Sequence, residues 1–256
     1  MPRLFVIGRS SFDLEQLRSF LDSEAQTWNE TDDATSAEKV VEIAGRVCYM
    51  SFGDRQSNRT NGRYIRHLIE QGHESVLEHV SWTFIIAGVS RSFSHQLVRH
   101  RIGFSYSQLS QQYHVETEAV ILEPSIIAKD AALSKIWHRS VQDSQNSYRE
   151  ILAALEARPE LYKNGGQREE LRRIRSAARS VLPGGIETKI VVTANARAIR
   201  HFLKIRGNIV GDEEMRIVST LLLEAVSQDA PSMFADFRVS KLEDGSPIVE
   251  HTDLNE

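Results

Sequence analysis

A chain of 256 residues, 41% hydrophobic and 26% charged, is long enough to bury a sizeable core and could form one large or two modest globular domains. Its formal net charge of -4 argues against a general nucleic-acid binder, which needs a basic surface to displace counterions, so any phosphate site must be local. One cysteine, Cys48, rules out an intrachain disulfide scaffold and makes a cytoplasmic protein the expectation. The apolar run before Ser10 is too short for a signal peptide, and no later segment is expected to enter a membrane.

In chain order, residues 4–7 read as a short buried strand, and 13–25 and 36–49 as amphipathic helices, the second with Val40, Val41, Ala44 and Val47 on one apolar face. Residues 54–61 are polar and turn-rich, and 62–71 read as a third helix. Residues 80–86 alternate, with Trp82, Phe84 and Ile86 on one side, as a half-covered strand does; Gly88 is expected to end it. Ser90 then suits the N-cap of a helix to about Arg101, on which Arg91, His95 and Arg99 share a face. Residues 103–112 read as a polar loop that takes its order from a ligand or a neighbouring subunit.

Residues 131–157 and 167–182 read as long helices separated by a break at Pro159 and Gly165-Gly166, with Leu182-Pro183-Gly184-Gly185 stopping the second. A buried strand over 188–193, helices over 196–206 and 213–230, and a short strand near 234–239 complete the chain. With no repeat, low-complexity tract or linker-like shift, one α+β domain over 1–256 is the simplest reading.

Several motifs are ordinary when read alone. In His73-Glu74-Ser75-Val76-Leu77-Glu78-His79 the histidines are six apart, which does not suit a helical zinc site, so no metal is expected; His73 and Glu78 could cap and bond loops or bind a ligand. Cys48, in an apolar helix without a histidine partner, reads as buried and structural rather than as an activated thiolate. No Gly-x-Gly-x-x-Gly or P-loop pattern is present, so a dinucleotide would need another cradle. The arginines at 168, 172, 173 and 175 look like a solvated helix face with a Glu169 to Arg173 pair, from which Arg179 is exempt. Asn195-Ala196-Arg197 opens a helix just past a strand, where donors can meet a phosphate.

The stretch Arg99-His100-Arg101-Ile102-Gly103-Phe104-Ser105-Tyr106-Ser107-Gln108-Leu109-Ser110-Gln111-Gln112-Tyr113 gathers cations, hydroxyls and amides, groups that bind anions when clustered. It resembles the signature of the flavin-dependent thymidylate synthases. Further matches follow in the same order across nearly the whole chain: Gly45 to Tyr49, Gly72 to His79, Ser90-Arg91-Ser92, Ala178 to Pro183, Asn195-Ala196-Arg197 and Phe234 to Phe237.

The resemblance implies an α+β fold with a mostly antiparallel sheet and long helices, assembled as a homotetramer with active sites built from more than one subunit. It implies an enzyme that methylates C5 of the uracil ring of a uridine 5′-monophosphate, with FAD as cofactor, NADPH as reductant and methylenetetrahydrofolate as one-carbon donor. Flavin contacts would come from His73, Ser75, Glu78, Arg99, His100, Arg101, Ser107, Asn195 and Arg197. Substrate contacts would come from Arg91, Gln96, Arg99, Gln108, Leu109, Ser110, Gln111, Gln112, Arg179 and Arg206, with Arg99, Ser110 and Arg206 nearest the chemistry. Ser110 is then a binding residue, since hydride from reduced flavin makes a protein nucleophile unnecessary.

Three positions depart from the family pattern. Ile102 to Leu109 is one residue longer than the family's spacer between Arg-His-Arg and Ser; Gln112 stands where the family usually has an arginine; Val210 stands where it has a histidine. Two of these changes fall at the nucleotide, so UMP is an expected acceptor beside dUMP, as in relatives from nucleoside-antibiotic pathways. The other readings are an inactive homologue that only binds nucleotide or flavin, and an RNA-binding module on 99–113, which the acidic chain disfavours.

Overall fold

The computed structural model of the protein describes residues 1–30, 34–113, 115–158, 160 and 167–252. A four-stranded sheet of β1 (Arg3–Arg9), β2 (Ser81–Ser90), β3 (Phe104–Gln108) and β4 (Glu187–Asn195) has the order β1-β2-β4-β3, so β1 and β3 are its edges. A separate antiparallel hairpin pairs β5 (Phe237–Lys241) with β6 (Pro247–His251), Val239 opposite Val249. Nine α-helices among the described residues make this the expected mixed α and β class. Contacts divide the chain into two compact units, each discontinuous in sequence: 87–99 and 107–190 fall in the first, and 2–86, 100–106 and 191–252 in the second.

In the first unit, α4 (Arg91–Leu97) starts at Ser90, whose hydroxyl accepts from the amide of Phe93 at 2.9 Å, as a capping serine should. Short α5 (Ser125–Ala128) leads to α6 (Ala131–Glu156), capped by Asp130. The core lies where Tyr148 and Leu152 of α6 meet Ile174 and Ala178 of α7 (Gln167–Ala178). The expected break at Pro159 and Gly165-Gly166 lies outside the described residues. Where one helix to 182 was expected, α7 stops at Ala178 and a 3-10 turn spans Arg179–Val181. Proline 183 has no amide proton to continue the ladder.

The second unit carries α1 (Leu14–Ser23), whose Leu17 and Leu21 pack with Phe52, together with α2 (Ser36–Tyr49), α3 (Asn61–Glu70), α8 (Ala196–Arg206) and α9 (Glu213–Asp229); its core includes Trp82 and Phe234, whose rings meet edge to face at 6.1 Å. The Trp82 indole finds its partner in Asp229 at 3.0 Å, which lets a polar tip be buried.

Six local expectations are corrected. Strand β1 is not buried: alternate positions face outward, with Phe5 49% and Ile7 57% exposed. Gly88 does not end β2 but continues it at φ +71, a left-handed conformation that glycine adopts without a Cβ penalty. Helix α4 stops at Leu97 instead of reaching Arg101, because the chain must turn to place β3 on β4. The expected loop from 103 is therefore a strand over 104–108, tied down by Leu109 N–H to Lys189 O at 3.0 Å.

Helix α2 supplies the other two corrections. It buries Ala37, Glu38, Val41, Glu42, Gly45 and Arg46, so only Val41 of the expected face is buried and Cys48 is exposed. Charge goes inside because it is paired there: Glu42 accepts from Arg46 at 2.7 Å, Trp28 at 3.1 Å and Asn61 at 2.7 Å. Other differences are small. Helix α1 is three residues shorter than expected, β5 starts at Phe237, and β6 carries no sequence expectation.

Candidate active site

The site residues read from the sequence fall into two groups. Arg91, Gln96, Arg99, Ser107, Gln108, Leu109, Ser110, Gln111, Gln112 and Arg179 belong to the first unit; His73, Ser75, Glu78, His100, Arg101, Asn195, Arg197 and Arg206 belong to the second. With two exceptions on the first side, Arg99 and Ser107, and one on the second, Arg206, this separates the nucleotide set from the flavin set.

The first unit contains a cavity of about 330 Å³ lined by Arg91, Ser92, Ser94, His95, Val98, Gln108 and Gly184. No lining residue is acidic. Its walls are held by backbone bonds from Arg91 to Ile186 O at 3.0 Å and from Ser92 to Gly184 O at 2.9 Å. A side chain at Gly184 would run into the Ser92 hydroxyl, which would have to turn away to admit it. Gln108 donates to Ser94 Oγ at 2.7 Å and to Thr188 Oγ1 at 3.2 Å, while Ser94 donates to Arg91 O at 2.9 Å, fixing α4 to the sheet.

Arg91 reaches Leu109 O at 3.3 Å. Burial, and then the nearby Arg179 charge, lower its pKa, against a smaller opposing pull from Glu116. A guanidinium lining a cavity without a lining carboxylate, with a second arginine charge within electrostatic reach, suits an anion. Ser110 Oγ accepts the Gln112 amide at 3.3 Å, and Gln112 Oε1 accepts from Arg172 Nε at 2.6 Å. Gln96 and Arg99 are exposed, Arg99 beyond the end of α4 and off the face expected to join it to Arg91 and His95.

In the second unit, Arg206 Nε donates to His100 Nε2 at 3.1 Å. Arginine only donates, so His100 is a neutral imidazole with its proton on Nδ1. Burial, then the Arg206 and His201 charges, hold its pKa below the usual histidine value. The ring meets Phe202 edge to face at 5.0 Å, and the Tyr106 hydroxyl donates to His100 O at 2.6 Å. Burial pushes the Tyr106 phenol well up, so it remains a donor.

Gly103 has φ +73, and a Cβ there would lie 2.7 Å from Ala198 Cβ and 2.8 Å from Asn195 Nδ2. The turn at Ile102 and Gly103, with Ile102 92% exposed, gives the longer spacer a place to bulge before β3. Asn195 caps α8 by accepting from Ala198 N–H at 2.8 Å, which leaves its amide hydrogens for other partners. Arg197 pairs with Glu78 at 2.5 Å and lies 3.8 Å from Glu74, and Glu74 is also 3.9 Å from buried Arg200. His73, Ser75, Glu78 and Arg101 are exposed donors and acceptors on the same unit.

Two participants were missed in the sequence. Glu74 stood between two expected ligands and could have been noticed; Arg172 was assigned to a solvated face. The expected Glu169 to Arg173 pairing is replaced by i, i+3 pairs, Arg172 with Glu169 at 3.6 Å and Arg173 with Glu170 at 3.8 Å. Val210, in the position of the family histidine, is 64% exposed.

Residues 31–232 match the family model described as thymidylate synthase complementing protein. The chain is 43% identical over 240 residues to a flavin-dependent thymidylate synthase of Corynebacterium efficiens, covering 93% of this chain and 94% of the relative. It is 43% identical over 221 residues to the protein of that name from Mycobacterium leprae, covering 85% and 87%. For Mycobacterium sp. strain JLS the figure is 44% over 219 residues, covering 84% and 86%. The chain belongs to the flavin-dependent thymidylate synthase family, and it is an enzyme of that kind. None of its described helices is long and apolar enough to cross a membrane.

Proposed function

We propose that the enzyme methylates C5 of the uracil ring of a uridine 5′-monophosphate, taking dUMP and UMP, with methylenetetrahydrofolate as the one-carbon donor. The observation that carries this reading is Arg91 lining a cavity that has no acidic lining residue, with the charge of Arg179 close enough to act on it. A nucleotide monophosphate brings the dianion that such a pair lacks, and forked guanidinium donors hold it bidentately. Ser110, Gln111 and Leu109 line up the nucleotide along the turn after β3, with Ser110 as a hydrogen-bonding group. The carboxamide at Gln112 offers a sugar hydroxyl a partner, which favours a ribose as well as a deoxyribose.

The donor set of the second unit fits FAD. His73, Ser75, Arg101 and Arg197 supply exposed hydrogen-bond donors and half-buried Asn195 a further one, with Asn195 and Arg197 at the N-terminus of α8, a suitable setting for a diphosphate. FAD reduced by NADPH supplies, when bound, the hydride that completes the methyl group. Arg206, oriented by His100, places a positive charge for the negative charge that develops on the uracil carbonyls. Exposure of so many of these polar groups supports sites completed by neighbouring subunits in a homotetramer. The enzyme works as a cytoplasmic protein without nucleic-acid or membrane partners.

The test is product formation from dUMP and UMP side by side, with FAD, NADPH and methylenetetrahydrofolate. Methylated product from both is expected. Turnover confined to dUMP would remove the ribose part of the reading, and no product from either would remove the whole.

A further inference from the structure

Four arginines recur along one side of the helical segment around α7: Arg168, Arg172 and Arg175 within it and Arg179 just after it, spaced 4, 3 and 4 residues apart. They do not spread into solvent as like charges on a free surface do. Arg168 and Arg172 lie over the Tyr113 ring, with centroid distances of 5.5 and 5.8 Å, and Arg175 donates to Tyr113 O at 3.2 Å. Arg172 Nε donates to Gln112 Oε1 at 2.6 Å.

The same short segment is gripped at its other end, where Arg91 reaches Leu109 O, and Gln112 N–H closes the turn onto Ser110 Oγ. The carboxylates nearby are few. Glu169 lies 3.6 Å from Arg172 in a pair whose side chains are 42% and 60% exposed, a solvent-screened contact of little strength, and Glu116 acts on Arg91.

We propose that Arg172 is a binding residue for the phosphate of the acceptor nucleotide, and that Gln112 is the positioning residue that holds it there. The proposal rests on the nucleotide-binding reading of the Arg91 and Arg179 site. Arginine has no acceptor, so the Nε bond fixes Gln112 with its carbonyl oxygen toward Arg172, and the Nη groups, apart from the long and solvent-screened contact of Nη1 with Glu169, remain as a fork. A cation at position 112 would repel Arg172 and Arg168; an amide oxygen seats Arg172 instead. Arg172 and Arg179 are two helical turns apart, about 10 Å along the axis, a gap that two long side chains converging on one small ligand can close.

The test is equilibrium binding to the flavin-loaded enzyme, with dUMP and UMP as probes beside deoxyuridine and uridine, which lack the phosphate. Arg172→Ala is expected to weaken both nucleotides about 10- to 100-fold, the range of a hydrogen bond to a charged group, and both nucleosides little. Arg172→Lys should recover part of the loss. Gln112→Ala should weaken the nucleotides in the same direction, and for dUMP, which lacks the 2′-hydroxyl that the carboxamide also serves, the double variant should bind no worse than Arg172→Ala alone, because the two act as one unit on the phosphate. Arg173→Ala, a 73% exposed neighbour on the same helix, should bind as the parent does.

Parent-like nucleotide binding by Arg172→Ala, equal losses for nucleosides and nucleotides, or additive losses for dUMP in the double variant would each overturn the proposal. Arg91→Gln separates the two readings. If it weakens nucleotide binding while Arg172→Ala does not, only the role of Arg172 fails; if neither does, the nucleotide site itself has been misplaced.

Discussion

Arg206 and His100 are joined by one hydrogen bond in which the guanidinium Nε donates to the imidazole Nε2 at 3.1 Å. The bond needs the ring neutral, so protonation of His100 must break it and place two cations side by side.

Stability should therefore fall in mild acid. Burial and the Arg206 and His201 charges lower the folded pKa of His100, whereas the unfolded chain titrates near the ordinary 6.5. Between those two values the unfolded state binds more protons, so the contribution is complete above the unfolded pKa and is lost as the pH falls through the folded one. In urea titrations from about pH 7.5 to about pH 5, the parent should lose stability. His100→Gln, whose amide oxygen can accept from Arg206 and does not titrate, should show a flatter profile. Equal slopes for the two proteins would contradict the neutral-ring assignment.

A second buried pair should cost far more to break. Arg200 forks onto Asp236 with both bonds at 2.6 Å, also donates to Met233 O, and stands over the Phe237 ring at 5.2 Å. Burial by itself raises the Asp236 pKa, but the hydrogen bond and charge of Arg200 outweigh it and leave the carboxyl below its usual value. Its contribution is thus present above the unfolded carboxylate pKa and is lost only as the pH falls through the lower folded value. Asp236→Ala strands a guanidinium whose side chain is 1% exposed, and should destabilise by about 3–5 kcal/mol in chemical denaturation at neutral pH.

These pairs also show where the sequence was informative. Helix positions followed from apolar periodicity and from the Ser90 cap, because these are local signals. Helix α2 misled because its buried stripe is ionic: pairing of Glu42 with Arg46 takes partners from Trp28 and Asn61, 14 and 19 residues away from Glu42, which no local pattern contains. Strand β3 was hidden by its serines and glutamine, although Phe104 and Tyr106 alternate with Ser105 and Ser107 at period 2. Of the site, the resemblance supplied the residue set, and of its two arginines at 91 and 179 the first lines the cavity. Arg172 escaped notice because its meaning lies in a partner 60 residues earlier.

Cys48 offers a simple check on the chemistry. It is exposed on α2, away from the buried stripe, and no part of the proposed reaction uses a protein nucleophile. Cys48→Ser should retain the parent turnover number, and alkylation of the native protein should leave activity intact. Loss of turnover in the serine variant, with folding unchanged by circular dichroism, would point to a thiolate role.

Gly103 and Gly72 let backbone strain be separated from crowding next to the proposed flavin contacts. Their φ angles are nearly the same, +73 and +72, so an alanine at either pays for a left-handed conformation, about 1–2 kcal/mol. A Cβ at Gly72 meets nothing within 4 Å, whereas at Gly103 it meets Ala198 Cβ at 2.7 Å and both amide atoms of Asn195 at 2.8 and 3.0 Å. Asn195 is the cap of α8, so displacing it adds the cost of a lost cap, about 0.5–2 kcal/mol, to the overpacking. Gly103→Ala should accordingly be the more destabilised variant in urea and should also retain less flavin through desalting, because the residue it displaces is among the proposed flavin contacts. Gly72→Ala should lose stability by the smaller amount and keep its flavin; matching losses in both variants would mean that the contact with Asn195 contributes nothing.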